Sequence, residues 1–395
     1  MRVCMVAYSF YEKDNRVRRY AETLAKRGDH VDVIALRQQG QTPEDMIEGV
    51  RVFRIQYRVV NEKSKSTYLA RLLLFFLRSA FFLTREHMTQ CYDIVHVHSV
   101  PDFEIFAAFY PKLRGSKLIL DIHDIVPELY ASKFKTSQDS LIFKMLLRVE
   151  RMSAAFSDHV IVANHIWEKR LRERSVEDSK CTTILNFPDF SIFHPRGRNR
   201  TDTKFIIIYP GSLSYHQGVD LAIRALSLIK DQVPEAEFHI YGSGDQVDFL
   251  NSLVTSLGLQ HQVFLKGDCS LSEIPLIMEN ADLGVVPKRK DSFGNEAFST
   301  KIFEFMSLDV PVLVSDTMID RYYFNESVVK FFRGGDENDL AHSMLRLIKD
   351  ADMRHSLIKS AKEFIRQNNW EVKKAQYLNL VDGLVAPRKS QTTNS

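Results

Sequence analysis

The feature that most constrains this chain is a change of hydrophobic period that recurs along its length. Short apolar runs at Arg2–Ala7, His30–Ala35, Val50–Val60, Asp93–His98, Lys117–His123 and His159–Ala163 alternate with amphipathic stretches of helical length. The first such stretch, Asn15–Lys26, is closed by Gly28. The pattern stops at residues 187–204, which are rich in Pro, Arg and polar groups and carry no period. It then starts again, with runs at Lys204–Tyr209, Glu237–Tyr241, Gln262–Lys266, Ala281–Pro287 and Val310–Ser315. Alternation of this kind predicts an α/β fold with mostly parallel sheets covered by helices. The break predicts two domains, 1–190 and 200–369, with a terminal helix over about 370–386 rejoining the first and a disordered tail at 387–395. Ligands of open α/β sheets sit beyond the carboxyl ends of the strands, so the expected site is a cleft between two facing domains.

Composition narrows the function. The 395 residues carry 53 Lys and Arg against 50 Asp and Glu, a net charge of +3, far from the excess that nucleic-acid binding needs. Four cysteines, Cys4, Cys91, Cys181 and Cys269, lie far apart without a CxxC pair; they read as buried apolar residues of a reducing compartment. The start of the chain is too soon interrupted by charge for a signal peptide, which predicts a cytoplasmic location.

Four clusters could carry chemistry. In FGNEAFSTKIFEFM, Phe293–Met306, Ser299 and Thr300 are natural caps for a helix beginning near Lys301, and Phe293-Gly294-Asn295 form a loop before it. A helix start favours an anion, Lys301 adds a full charge, and Glu304 shares its face one turn on. Glu296 lies in the loop, eight positions before Glu304. A pyrophosphate at that helix, with a carboxylate on either side for hydroxyl groups, describes a nucleotide sugar. The second cluster, LILDIHDIVPELY, brings Asp121, His123 and Asp124 to a strand end, with Asp121 and His123 on one face. The third, His96 and His98, is an HxH pair that with His123 could hold a metal in a hydrolase centre. The fourth is a strand, glycine turn and helix at Ile206–Leu226, with Gly211, Ser212, His216, Gln217 and Gly218 in the turn.

The E-x7-E spacing of Glu296 and Glu304, followed by DVPVLVSD, resembles the donor site of retaining glycosyltransferases of the GT-B fold, family 4. The resemblance extends to DIHD with PE following, the linker, the glycine turn and the terminal helix. It implies two Rossmann-like domains: an acceptor-side N-terminal one and a C-terminal one that binds a UDP- or GDP-sugar as substrate, with no cofactor and no metal. By that resemblance Glu296 binds hydroxyls of the donor sugar, Glu304 the ribose, and His123 faces the donor sugar. Gly211, Ser212, His216, Gln217, Gly242, Gly267, Phe293, Gly294, Asn295, Ser299 and Thr300 fall in the donor site. Tyr11, Asn15, Arg16, His98 and Asp124 fall on the acceptor side. The acceptor hydroxyl attacks from the side the diphosphate leaves, and no protein nucleophile is needed. The chain departs from the family where an Arg follows the first glycine and a Lys precedes the second; here stand Ser212 and Gln217. The missing charge must come from elsewhere, first from Lys301, then Lys288, Arg289, Lys290 and His216, although a run such as Lys288–Lys290 is usually just a solvated loop.

Tyr68–Leu83 is apolar almost throughout, but Arg71 and Arg78 interrupt it and it falls short of the roughly 20 residues of a spanning helix. With Arg85 these arginines recur every seven residues. The segment is either a core helix or an interfacial one at an anionic membrane, where a lipid-linked saccharide acceptor is found; Lys63 and Lys65 precede it. The rivals to a hexosyl- or N-acetylhexosaminyltransferase of cell-surface polysaccharide synthesis are the metal hydrolase on His96, His98 and His123, and a catalytically silent sugar-nucleotide binder. An NAD-dependent oxidoreductase lacks its GxGxxG.

Overall fold

The computed structural model describes residues 1–58, 65–134, 136–270 and 272–385. The strand end expected at Val60, Lys63, the Lys65 side chain and the tail after Pro387 lie outside the described residues. The chain forms two compact units, Met1–Asn186 with the segment from Lys374 onward, and Phe187–Lys373.

Unit 1 holds an eight-stranded sheet built from β1 (Arg2–Ala7), β2 (His30–Arg37), β3 (Glu44–Ile47), β4 (Val50–Tyr57), β5 (Ile94–Ser99), β6 (Lys117–Ile122), β7 (His159–Val162) and β8 (Cys181–Thr183), in the order β3-β4-β2-β1-β5-β6-β7-β8. All pairs are parallel except β3 with β4. β1 and β5 are buried almost throughout, which is why they read as continuous apolar runs. Helix α1 (Asn15–Arg27) is capped by the Asp14 side chain, which accepts from the N–H groups of Arg16 and Val17, and it closes at Gly28. The period did not reveal β3, because an exposed edge strand of sequence EDMI has no apolar face to alternate.

Unit 2 holds a parallel six-stranded sheet of β9 (Phe205–Pro210), β10 (Ala236–Tyr241), β11 (Val263–Gly267), β12 (Leu283–Val286), β13 (Val312–Ser315) and β14 (Lys330–Phe332), in the order β11-β10-β9-β12-β13-β14. Its core joins this sheet to the helices Val219–Ile229 and Glu337–Lys349 through Ile207, Phe238, Leu226, Met344 and Leu347. In both sheets the strand order reverses beside the first strand, between β1 and β5 and between β9 and β12, the crevice where doubly wound sheets take ligands.

Two expectations need correction. Cys4 and Cys181 are buried, but Cys91 is exposed and Cys269 partly so. The segment at Tyr68–Leu83 belongs to a longer helix, α2 (Lys65–Thr89), of 25 residues. It is the one helix among the described residues long and apolar enough to cross a membrane. It is also half a core helix: Leu72, Phe75, Ser79, Phe82 and Leu83 are buried while Leu69, Leu73, Leu74, Leu77 and Phe81 are exposed.

Candidate functional site

In unit 2 the turns that follow β9, β10, β11 and β12 are stitched together by backbone bonds. The Gly211 N–H donates to Tyr241 O at 2.8 Å, Gly242 N–H to Gly267 O at 2.8 Å, and Arg289 N–H to His216 O at 2.9 Å. Two of the glycines are forced. Gly211 has φ +146°, and a Cβ there would lie 2.3 Å from Lys301 Cε; Gly218 has φ +66°, and a Cβ would lie 2.1 Å from Pro287 O. The β9 turn is thus a lid one backbone thick over the Lys301 side chain, whose Nζ stands 5.3 Å from the Tyr209 ring centroid. Burial draws Lys301 down to about 8, against the pull of Glu304, and burial pushes the Glu304 carboxyl up while Lys301 and the Thr300 hydroxyl oppose it. An ammonium and a carboxyl, both poorly hydrated and not hydrogen-bonded to each other, are poised for a ligand that carries a negative charge and a hydroxyl.

The loop before this helix is shaped by its own backbone. Asp291 accepts from the N–H groups of Phe293 and Gly294, and the Glu296 and Ala297 N–H groups both donate to Phe293 O. Phe293 is buried and meets the His216 ring edge-on at 5.5 Å. Burial lowers His216, whose ring touches the Ser214 hydroxyl and the Gln217 amide. Glu296 is 7% exposed, so it is not a loop surface charge. Helix Thr300–Ser307 starts as expected, but Ser299 does not cap it: its Oγ is buried without a hydrogen-bond partner.

The expected sources of extra positive charge are mostly consumed. Lys288 is 2% exposed and pairs with Asp320 at 2.9 Å. Arg289 forks onto Asp220 and Lys290 pairs with Asp316 at 2.6 Å. The run 288–290 is therefore not a reserve of free cations, although Lys290 is exposed. Lys301 makes no ion pair among the described residues, and with His216 it stands as the basic equipment of the turn, where Ser212 and Gln217 are neutral. Gln217 has a structural partner that the sequence did not signal, the Tyr209 hydroxyl at 3.0 Å from its Oε1.

In unit 1 the end of β6 carries a dense charge network. Both carboxylate oxygens of Asp121 accept from Arg16, at 2.7 and 2.8 Å, and a third guanidinium N–H donates to Ile184 O. Burial alone raises a carboxyl, but Arg16 and then His123 hold Asp121 well below the usual carboxylate range. An ionised carboxylate can only accept, so whichever of His123 Nε2 and His98 Nδ1, each 3.1 Å from Asp121 Oδ2 and 3.2 Å from one another, carries a proton donates it to Asp121. His123 Nε2 is thereby turned inward and Nδ1 outward. Burial lowers His98 and His96, and the two rings stack at 4.2 Å. Behind them the Tyr377 hydroxyl meets His96 Nδ1 at 3.0 Å and its ring lies 4.3 Å from Tyr20. Asp124 is partly exposed and raised by burial.

Three residues expected on the acceptor side are buried. Tyr11 is 0%, Arg16 3% and His98 2% exposed; Arg16 is the counterion of Asp121. Asn15 is partly exposed. The metal centre on His96, His98 and His123 is not what the rings form. The group with ligand atoms within 4.8 Å of one another is His96, His98 and Asp121. A cation there would face the guanidinium that already occupies both Asp121 oxygens, and His96 Nδ1 is engaged by Tyr377. The donor set does not fit a divalent ion.

Residues 14–186 match the family described as "Glycosyl transferase 4-like domain" and residues 192–364 the family "Glycosyl transferases group 1". An uncharacterized glycosyltransferase of Methanocaldococcus jannaschii is 27% identical over 75% of this chain and 74% of its own. A GDP-mannose:cellobiosyl-diphosphopolyprenol alpha-mannosyltransferase of Xanthomonas oryzae is 24% identical over 73% of this chain and 72% of its own. Among solved structures, sucrose-phosphate synthase of Thermosynechococcus elongatus superimposes with a TM-score of 0.80 at 18% identity, covering 97% of this chain and 99% of that one. The chain belongs to the family 4 glycosyltransferases of the GT-B fold, and it is an enzyme of glycosyl transfer; the hydrolase and silent-binder readings are not favoured.

Proposed function

We propose that unit 2 binds the nucleoside diphosphate of a UDP- or GDP-sugar, and that the enzyme moves a hexosyl or N-acetylhexosaminyl group, with retention, onto a hydroxyl of a saccharide or lipid-linked saccharide. The observation that carries this reading is Lys301: a cation drawn down to about 8 beneath the Gly211 turn, one helical turn from Glu304, while the neighbouring basic residues are paired with carboxylates. Paired cations have little left to give a diphosphate; a poorly hydrated ammonium gains a full interaction when the anion arrives. In this reading Glu304 takes the ribose hydroxyls, Glu296 the sugar hydroxyls, and the Gly211–Gln217 turn lies against the diphosphate. His123, held by Asp121, is the group of unit 1 on which turnover depends. The GDP-mannose donor of the Xanthomonas relative supports the donor class.

The domain roles follow: residues 1–190 with the terminal helix serve the acceptor, residues 200–369 the donor. A lipid-linked acceptor is supported by the diphosphopolyprenol acceptor in that relative's name, and by the distribution of charge on unit 1. α2 and the helix Leu141–Phe156 both pack on the turn Asp102–Ala108. Between them they expose Leu73, Leu77, Phe81, Leu141, Ile142 and Met145. Their exposed charges are Arg78, Arg85, Lys144, Arg148 and Arg151. The acids of the same elements are turned inward or paired: Glu104 and Glu150 are each 1% exposed and Glu86 is bonded by Arg85. Apolar side chains ringed by cations suit the inner face of an anionic cytoplasmic membrane, where cell-surface polysaccharides are begun.

The test is direct. A panel of UDP- and GDP-sugars raises the melting temperature of the wild-type chain for the cognate donor. Glu304→Ala and Lys301→Ala each weaken UDP or GDP binding by tenfold or more in a calorimetric titration. Affinity unchanged in both variants removes the donor site from this position.

A further inference from the structure

The loop that carries Glu296 is gripped on both flanks. On one flank, Asn295 accepts the Met318 N–H on its side-chain oxygen at 2.9 Å and the Ile319 N–H on its carbonyl at 3.1 Å. On the other, the carbonyl of Ala297, the residue after Glu296, accepts from Lys288 Nζ at 2.7 Å. Lys288 comes from the end of β12 and is 2% exposed. Its charge is met by Asp320 at 2.9 Å, and Asp320 in turn accepts from the Thr317 hydroxyl at 2.5 Å. The other carboxylate oxygen of Asp320 is buried without a hydrogen bond. Such a pair is a poor way to gain stability, because apolar side chains of similar volume commonly serve as well or better. What an apolar pair cannot do is hold a carbonyl in one place.

We propose that Lys288, braced by Asp320 and Thr317, is a positioning residue for the donor sugar: it fixes the Ala297 carbonyl and so sets where the Glu296 carboxylate meets the sugar, while Lys301 and Glu304 grip the nucleoside diphosphate. The inference rests on the donor-site reading above. Its consequence is a separation of two affinities. The nucleotide part is held by the helix Thr300–Ser307, to which Lys288 makes no hydrogen bond among the described residues although its charge is felt at Lys301, whereas discrimination between sugars depends on Glu296 standing within a few tenths of an ångström of its place.

The experiment measures dissociation constants of the full chain for UDP, GDP, UDP-glucose, UDP-N-acetylglucosamine and GDP-mannose. The reading is the ratio of the constant for the sugar nucleotide to that for its nucleoside diphosphate. Lys288→Met combined with Asp320→Asn leaves no lone charge in the interior. It is expected to raise the ratio for the cognate donor about tenfold, as Glu296→Ala does, while UDP or GDP binds within about twofold of wild type. An unchanged ratio in the folded double variant overturns the proposal. So does a parallel loss of nucleotide and sugar-nucleotide affinity, which marks a brace that serves only the fold. Should the double variant not fold, Lys288→Gln is read by the same two outcomes, since the buried carboxyl of Asp320 can then take up a proton. A wild-type chain that binds none of the five ligands, or a Glu304→Ala variant with unaltered nucleotide affinity, sinks the donor-site reading itself and with it this one.

Discussion

At the scale of single residues, burial and pairing decide which charges can act. Lys301 shows this in its pH dependence. Burial lowers it to about 8, so the free enzyme holds the binding-competent ammonium below that pH and loses it above. The dissociation constant for UDP or GDP is therefore expected to rise between pH 8 and 9 by up to tenfold, and to stay flat in Lys301→Arg, whose guanidinium remains charged; titrations at pH 7, 8 and 9 check this. Stability moves the other way. Between about 8 and the ordinary lysine value of 10.5 the unfolded chain keeps a proton that the native one has released, so this group adds stability as pH rises. The spacing of Glu296, Lys301 and Glu304 was legible because all three lie on one loop and the helix that follows it. The partners of Lys288, Arg289 and Lys290 were not. Asp320, Asp220 and Asp316 lie on other elements, and nothing in a run of three basic residues tells a solvated loop from three ion pairs.

At the scale of elements, α2 is a single apolar segment divided into a buried and an exposed face. Its buried face holds Phe75, Phe82 and Leu83 and its exposed face holds Leu77 at 62% and Phe81 at 69%. A composition nearly all apolar conceals that division, because a helix buried on one side only normally shows polar residues on the other. The expected outcome is that the protein floats with vesicles containing anionic phosphatidylglycerol, and that Leu73→Glu, Leu77→Glu and Phe81→Glu together abolish flotation while leaving the melting temperature within a few degrees. Each exposed leucine or phenylalanine withdrawn into the interface is worth about 1–2 kcal/mol, so three such losses are ample to see. Flotation unaltered by the triple change removes α2 as the contact. Element ends show a complementary limit. The cap at Asp14 works as its sequence suggests, whereas Ser299, an equally good cap residue by type, leaves its hydroxyl unbonded. Both are set by where the preceding backbone enters the helix, which for Ser299 is a loop held by distant groups.

At the scale of the whole molecule, unit 1 is not complete without the end of the chain. Tyr377 and Val381, on the helix Trp370–Val385, are fully buried, and Tyr377 reaches the histidine stack behind Asp121 and His123. A chain ending at Lys373 is expected to lose more than about 3 kcal/mol of stability, by the scale of single large core deletions. Chemical denaturation of the truncated chain shows this as a lowered midpoint, and an unchanged midpoint refutes it. The sequence by itself determined the α/β class, the two parallel sheets, most strand positions and the segment carrying Glu296 and Glu304, because hydrophobic period and short spacings are properties of neighbouring residues. Only the tertiary structure decided that Arg16 belongs to Asp121, that Tyr377 stands behind His96, that Lys288 meets the Ala297 carbonyl and that Lys301 makes no ion pair among the described residues. Those assignments join residues as far as 281 positions apart, and ion pairing inside a fold depends on which charges are brought out of water together, something no local pattern records.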